Sequence, residues 1–157
     1  MLVLFLSGVY TEGIISFILH CMKLIDLPLW QSALVALFGS VLANLIVLFC
    51  TQPLAPHFKS LSVIPVTFWT LIAVVGATSV FALVRKYAQN PNPLFVRISW
   101  GALALSFFMD IPLFFFDIPF FAGATTAGIW ALMVMHVVVA GITVPTLVRL
   151  TKTAILR

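Results

Sequence analysis

Residues 31–50, QSALVALFGSVLANLIVLFC, decide the fold because they form an apolar run without a single charged side chain. A helix needs about 20 mostly apolar residues to cross a hydrocarbon core about 30 Å thick. Three further runs of this length follow, separated by segments rich in proline, asparagine and charge. The sequence therefore predicts four transmembrane helices within residues 31–150, at 31–50, 63–84, 98–116 and 124–148.

The composition excludes a soluble domain. Of the 157 residues, 63% are hydrophobic and 8% are charged, whereas soluble domains have about 45–50% apolar and about 25% charged residues. The net charge of +4 does not indicate nucleic acid binding, because the basic residues lie at predicted helix ends, where they contact lipid head groups. We expect an all-α integral membrane protein, an antiparallel bundle of four core transmembrane helices.

A fifth apolar stretch covers residues 1–22 and is interrupted by Glu12. No basic region precedes it and no small-residue cleavage pattern follows it, so it is not typical of a cleaved signal peptide. A carboxylate near the centre of a span costs about 2.5–3.5 kcal/mol on the insertion scale, which leaves a re-entrant or interfacial segment as the alternative. We favour a fifth, N-terminal transmembrane helix.

The basic residues are distributed unevenly between the two sides of the predicted bundle. Lys59 alone lies on one side, and the other side holds the remaining seven of the eight Lys and Arg residues. Because cytoplasmic segments carry the excess of Lys and Arg, we expect a cytoplasmic C-terminus, with residues 151–157 as a basic tail, and an outside N-terminus if residues 1–22 span. The seven are Lys23, Arg85, Lys86, Arg97, Arg149, Lys152 and Arg157.

Three polar residues fall at one depth in the predicted spans. Asn44, Asp110 and His136 each lie 13 residues from a cytoplasmic boundary residue, or about 20 Å at 1.5 Å per residue. Ser106 lies one helical turn from Asp110, and Glu12 reaches nearly the same level if the first segment spans. Since polar groups within a membrane are costly, we predict a polar cluster of Asn44, Ser106, Asp110 and His136 and treat it as the candidate site.

Three interpretations of this cluster remain open. In the first, which we favour, Asp110 binds His136 and Asn44 and fixes the helix register, because most intramembrane polar contacts contribute modest packing energy. In the second, Asp110 and His136 form a protonatable pair on a transport path. In the third, His136 ligates a haem or a chlorophyll-type pigment, although a second histidine at the same depth is missing.

An enzyme is not expected from the motifs. The sequence contains no GxxxxGK[ST], HExxH, GxSxG or CxxC pattern and no paired-histidine metal motif. Cys21 and Cys50 fall at opposite membrane faces in this topology, so they cannot form a disulfide.

Three segments of the chain resemble a family of bacterial four-helix integral membrane proteins of unknown function. They are GSVLANLIVL with Asn44, the run from Phe95 through Arg97 and Ser106 to Pro112, and LMVMHVVVAGITVPTLVR with His136, Pro145 and Arg149. The resemblance covers residues 31–150 and implies four core helices in a bacterial plasma membrane, with no known activity or ligand. Residues 1–22 and the phenylalanine-rich DIPLFFFDIP segment depart from its pattern.

Our leading functional hypothesis is a non-enzymatic membrane protein that serves as an accessory or structural subunit. Its apolar helix faces would then contact lipid, pigment, other membrane subunits or further copies of itself. The small size, the missing catalytic motifs and the 15 phenylalanines motivate it. The alternative is a small proton-coupled transporter or carrier that uses the Asp110 and His136 pair.

Overall fold

The computed structural model describes residues 28–55, 58–116, 121 and 123–151. These residues form four long α-helices, which we label α1 to α4, and two short 3₁₀ segments, Gln52–Leu54 and Ile111–Phe114. All four helices are long and apolar enough to cross a membrane, which confirms the predicted helical bundle with four spans. The helices are α1 Leu29–Thr51, α2 Val63–Tyr87, α3 Pro91–Asp110 and α4 Thr126–Leu150.

The predicted fifth helix at residues 1–22, with Glu12, lies outside the described residues, as does most of the predicted tail at residues 151–157. Consecutive helices contact one another, and residues 88–90 form a short connection between α2 and α3, so neighbours in the chain run antiparallel. Arg85, Lys86 and Arg149 end α2 and α4. We call this side of the bundle the basic end and the other side the opposite end.

Helix α3 begins at Pro91, earlier than the sequence boundary at residue 98. Proline suits the first turn of a helix because its fixed φ is already helical and its missing N–H is not needed there. Arg97 interrupts the apolar run without interrupting the backbone hydrogen bonds, so the helix passes through it. The α-helix ends at Asp110 and tightens into the 3₁₀ segment, because Pro112 provides no N–H for the α-helical pattern.

Helix α1 packs most extensively on α4 and α2. Its buried residues recur at every fourth position, which places them in one stripe along the helix. Most are small, and in lipid small residues let two backbones approach closely. The stripe consists of Ser32, Ala36, Ser40, Asn44 and Leu48.

Helix α3 is held to the bundle differently. Phe95 and Asp110 are its only buried residues among those described, and they lie about 22 Å apart along the helix. Near the basic end, the Phe95 ring packs on the Phe81 ring of α2, with centroids 4.7 Å apart. Near the opposite end, Asp110 contacts α4. The helix is therefore fixed at two points with a loosely packed stretch between them.

Small residues lie on the facing sides of α2 and α3, but the two helices do not approach closely along them. Ala73, Ala77, Ala102 and Ser106 instead line a cavity, and no atom lies within 4 Å of a Cβ built on Gly76. The two phenylalanine rings stand between these helices near the basic end, and short side chains on both sides cannot fill the gap that remains. The gap between α2 and α3 forms part of a cavity within the bundle.

At the opposite end, α4 begins against a buried cluster. The Thr125 hydroxyl oxygen accepts a hydrogen bond from the Gly128 backbone N–H at 3.1 Å, which caps the helix. A Cβ added at Gly128 would lie 2.6 Å from a ring carbon of Phe58, and Phe58 is itself almost completely buried. Glycine is therefore required at this contact.

We predict that Gly128→Ala lowers the free energy of unfolding by about 1–3 kcal/mol, the usual range for overpacking. Gly76→Ala is the matched control, because its added methyl group meets no neighbour. It should leave stability unchanged or slightly raised, since alanine is the better helix former. Unfolding of both variants in mixed micelles against increasing SDS measures the difference. Equal stability of the two variants would contradict the packing of α4 on Phe58.

Candidate functional site

A cavity of about 630 Å³ lies among α2, α3 and α4. It occupies the stretch where α3 is not in close contact with its neighbours. Asn44 contributes to its wall from α1, so all four helices take part. Small-molecule sites typically measure about 300–1,000 Å³, and the volume of this cavity falls within that range.

Asp110 and His136 meet at the wall of this cavity. His136 Nδ1 lies 3.1 Å from Asp110 Oδ2, within ion-pair distance. The two atoms are not aligned as a hydrogen bond, and both are buried without another partner. The Asp110 side chain is 10% exposed, whereas the His136 side chain is 39% exposed. The carboxylate is thus enclosed by protein, and part of the imidazole remains accessible.

Asn44 is held by α2 rather than by Asp110 or His136. Its Nδ2 donates to Thr70 Oγ1 at 2.9 Å, and that hydroxyl donates in turn to the Val66 carbonyl oxygen at 2.7 Å. Because the Thr70 proton is committed to Val66, Thr70 can only accept from Asn44, which fixes the orientation of the amide. Asn44 Oδ1 is left buried without a hydrogen-bond partner.

Ser106 lines the same cavity, but its hydroxyl donates to the Leu103 carbonyl oxygen of its own helix at 2.8 Å. The four residues of the predicted cluster therefore share one cavity without forming one hydrogen-bonded network. Asp110 and His136 are in direct contact, while Asn44 and Ser106 have other partners. Glu12 lies outside the described residues.

Sequence reasoning missed Thr70, which positions Asn44. A threonine within a helix commonly donates to a carbonyl of the preceding turn, so its presence alone gives no signal of an interhelical contact. It also missed the contact between Ser40 and Thr143, whose hydroxyl oxygens lie 3.2 Å apart between α1 and α4. Thr70 lies 15 residues before Arg85, or about 22 Å at 1.5 Å per residue, and this depth close to that of Asn44 was the available clue.

The cavity is polar at one end only. Asn44, Thr70 and His136 lie about 10–15 Å from the opposite end of the bundle, by their distance along each helix. Toward the basic end the lining becomes almost entirely apolar. The lining residues in that part include Gly76, Ala77, Val80, Phe95, Ile98 and Val144.

A pigment or metal has one candidate ligand here. Asp110 lies beside Nδ1 of His136, which leaves Nε2 as the ring nitrogen for a metal, and a carboxylate on the far nitrogen is common for histidine ligands. Within the described ranges, no three His, Cys, Asp or Glu residues come close enough to hold a metal ion together. Haem or chlorophyll-type ligation by His136 stays a prediction.

The four apolar spans and the Asp110 and His136 pair at the cavity wall define a polytopic helical membrane protein with an intramembrane cavity. The chain belongs to the Family of unknown function (DUF6069), whose profile matches residues 26–153. This confirms the resemblance to a four-helix family of unknown function. No curated protein and no solved structure matches the chain.

Proposed function

We propose that this protein is a small proton-coupled carrier that works through the Asp110 and His136 pair. The observation that carries the proposal is the contact of these two side chains at the wall of a cavity large enough for a small molecule. An ionisable side chain within a membrane is costly, and it is retained where it serves a path for ions or protons. This geometry favours the carrier over the purely structural interpretation.

The two side chains supply a site that holds a proton in alternative ways. Asp110 and His136, 3.1 Å apart, are together neutral either as carboxylic acid and imidazole or as carboxylate and imidazolium. Addition of one more proton leaves the pair with a net positive charge. Because the cavity wall around them is mostly apolar, that charge changes strongly how well a substrate with a polar group is held. Binding of proton and substrate is thereby coupled.

We also propose that the protein has no enzymatic activity and lies in a bacterial plasma membrane with its C-terminus in the cytoplasm. The missing catalytic motifs support the first part. The positions of Arg85, Lys86 and Arg149 at one end of the bundle support the orientation, because positive residues collect on the cytoplasmic side. The N-terminus lies outside if residues 1–22 span.

Proton movement in liposomes tests the carrier. We expect purified protein to accelerate the acidification of vesicles filled with pyranine under an inward pH gradient. Asp110→Asn and His136→Ala should each abolish this acceleration, because each removes one half of the protonatable pair. Ser79→Ala is the matched control, since Ser79 is exposed and its hydroxyl donates only to a backbone carbonyl of its own helix.

Folding of the variants must be measured in the same preparations by their unfolding in SDS. If Asp110→Asn and His136→Ala fold normally and acidify vesicles as fast as the unaltered protein, the carrier proposal is wrong. If both variants fail to fold while Ser79→Ala folds, the pair fixes the bundle and the structural interpretation stands instead.

The second candidate is an accessory subunit that packs against other membrane proteins or against further copies of itself. Small residues on the described surface favour it, since a Cβ built on Gly101 or Gly141 meets no neighbouring side chain or helix within 4 Å, and small residues form helix contacts in lipid. A partner that co-elutes from mild detergent at a fixed ratio supports this candidate. Elution as a lone monomer, together with active proton movement, counts against it.

The orientation is tested by two engineered cysteines in a background carrying Cys21→Ser and Cys50→Ser. We expect Lys59→Cys to react with a membrane-impermeant maleimide on intact cells, because Lys59 lies on the outer side in the proposed topology. Lys86→Cys, at the basic end, should react only after the membrane is opened. Labelling of Lys86→Cys on intact cells would reverse the proposed topology.

A further inference from the structure

We infer that the cavity binds a single-chain amphiphile whose hydrogen-bond-donating polar end lies beside Asp110, His136 and Asn44 and whose apolar chain extends toward the basic end. An alkyl alcohol or an alkyl amine has this chemistry. The inference rests on the proposed function, because it names the substrate class of the same site. It depends on which polar atoms of the wall lack partners and on how the apolar wall continues beyond them.

Two oxygens at the polar end of the cavity are buried without a hydrogen-bond partner. Asn44 is 3% exposed and Asp110 is 7% exposed, and each has one oxygen, Oδ1 and Oδ2 respectively, without a hydrogen-bond partner. A buried acceptor without a partner costs about 1–3 kcal/mol. A hydroxyl or ammonium group satisfies such oxygens. A carboxylate head group instead brings further acceptors and a like charge beside Asp110.

The rest of the cavity offers a bound molecule no such polar atoms. Two hydroxyls line its middle, but both are occupied within the protein. Ser99 donates to the Phe95 carbonyl oxygen at 2.9 Å, and the Thr143 hydroxyl lies 3.2 Å from that of Ser40. Water needs two or more polar partners to remain in a cavity, so this stretch suits an apolar chain.

The length of the apolar stretch selects a long chain. Phe95 and Asp110, which both line the cavity, are about 22 Å apart along α3. Residues that line it also reach the outer surface of the bundle, since Ile72 of α2 and Ile98 of α3 are 45% and 39% exposed. A chain can therefore enter sideways from the lipid between α2 and α3. A lipid-soluble molecule reaches the site by this path without crossing water.

Binding of three probes with the same chain tests the inference. The full-length protein in lipid nanodiscs is titrated with hexadecanol, hexadecylamine and hexadecanoic acid, and bound probe is counted by native mass spectrometry. We expect the alcohol and the amine to bind at one molecule per protein. The acid should bind about tenfold more weakly or worse, because its head group leaves a buried acceptor without a hydrogen-bond donor.

Two variants test where the polar head group and the apolar chain of the bound probe lie. Asp110→Asn should weaken binding of the amine by about tenfold and should weaken binding of the alcohol less, because only the amine loses an interaction with an opposite charge. Ala102→Phe should abolish binding of both, since Ala102 lines the apolar stretch and a ring there fills it. Gly101→Phe is the matched control, because Gly101 has open space around it and is not part of the cavity wall.

Equal affinity for the three probes overturns the inference, and so does unchanged binding to the Ala102→Phe variant. A visible absorption band that co-purifies with the protein and disappears in His136→Ala overturns it in favour of a pigment. If proton movement depends on Asp110 but no amphiphile binds, the carrier proposal holds and the proposed substrate class is wrong. Amphiphile binding without proton movement keeps the site and removes the carrier.

Discussion

The attachment of α3 at two separated points is the constraint on which the rest of the structure depends. In lipid, helices gain little from apolar burial against one another, so their association requires close backbone approach or specific polar contacts. Helix α1 achieves the first through its stripe of small residues. Helix α3 is fixed by an aromatic contact at Phe95 and by a polar contact at Asp110. The stretch between these points stays open because neither side carries residues large enough to fill it.

The polar groups of the bundle divide according to this packing. Where α1 lies close to its neighbours, hydroxyl and amide groups meet across the contact, as Asn44 and Thr70 do. Beside the open stretch, Asp110 Oδ2 and His136 Nδ1 are close but unaligned. An unpartnered polar atom in a membrane is expensive, and it therefore indicates a bound group or a change of state. The proposed carrier function and the proposed amphiphile both follow from these buried polar atoms without hydrogen-bond partners.

Much of the fold could be predicted from the sequence, because a span needs only length and apolarity. The four helices and the common depth of Asn44, Asp110 and His136 follow from counting along regular helices, where each residue adds a fixed rise. The bounds of α3 could not be predicted in this way, since Arg97 interrupts hydropathy but not hydrogen bonding. The cavity itself could not be predicted from the sequence either. Small residues such as Ala73 and Ala102 are compatible both with close helix contact and with a gap between helices. The gap is present because the Phe81 and Phe95 rings stand between α2 and α3 farther along these helices.

The separation of Asp110 and His136 in a bilayer tests the central claim most directly. Solid-state NMR on protein labelled with ¹⁵N-histidine and ¹³C-aspartate, with His20 and His57 replaced by glutamine, measures the coupling between the imidazole and carboxyl groups. We expect a coupling between ¹⁵Nδ1 of His136 and the ¹³C carboxyl carbon of Asp110 that is consistent with Nδ1 and Oδ2 lying 3.1 Å apart. It should disappear in Asp110→Asn protein prepared with unlabelled asparagine. No measurable coupling in the folded, unaltered bundle would contradict the attachment of α3 through Asp110 and, with it, the proposed site.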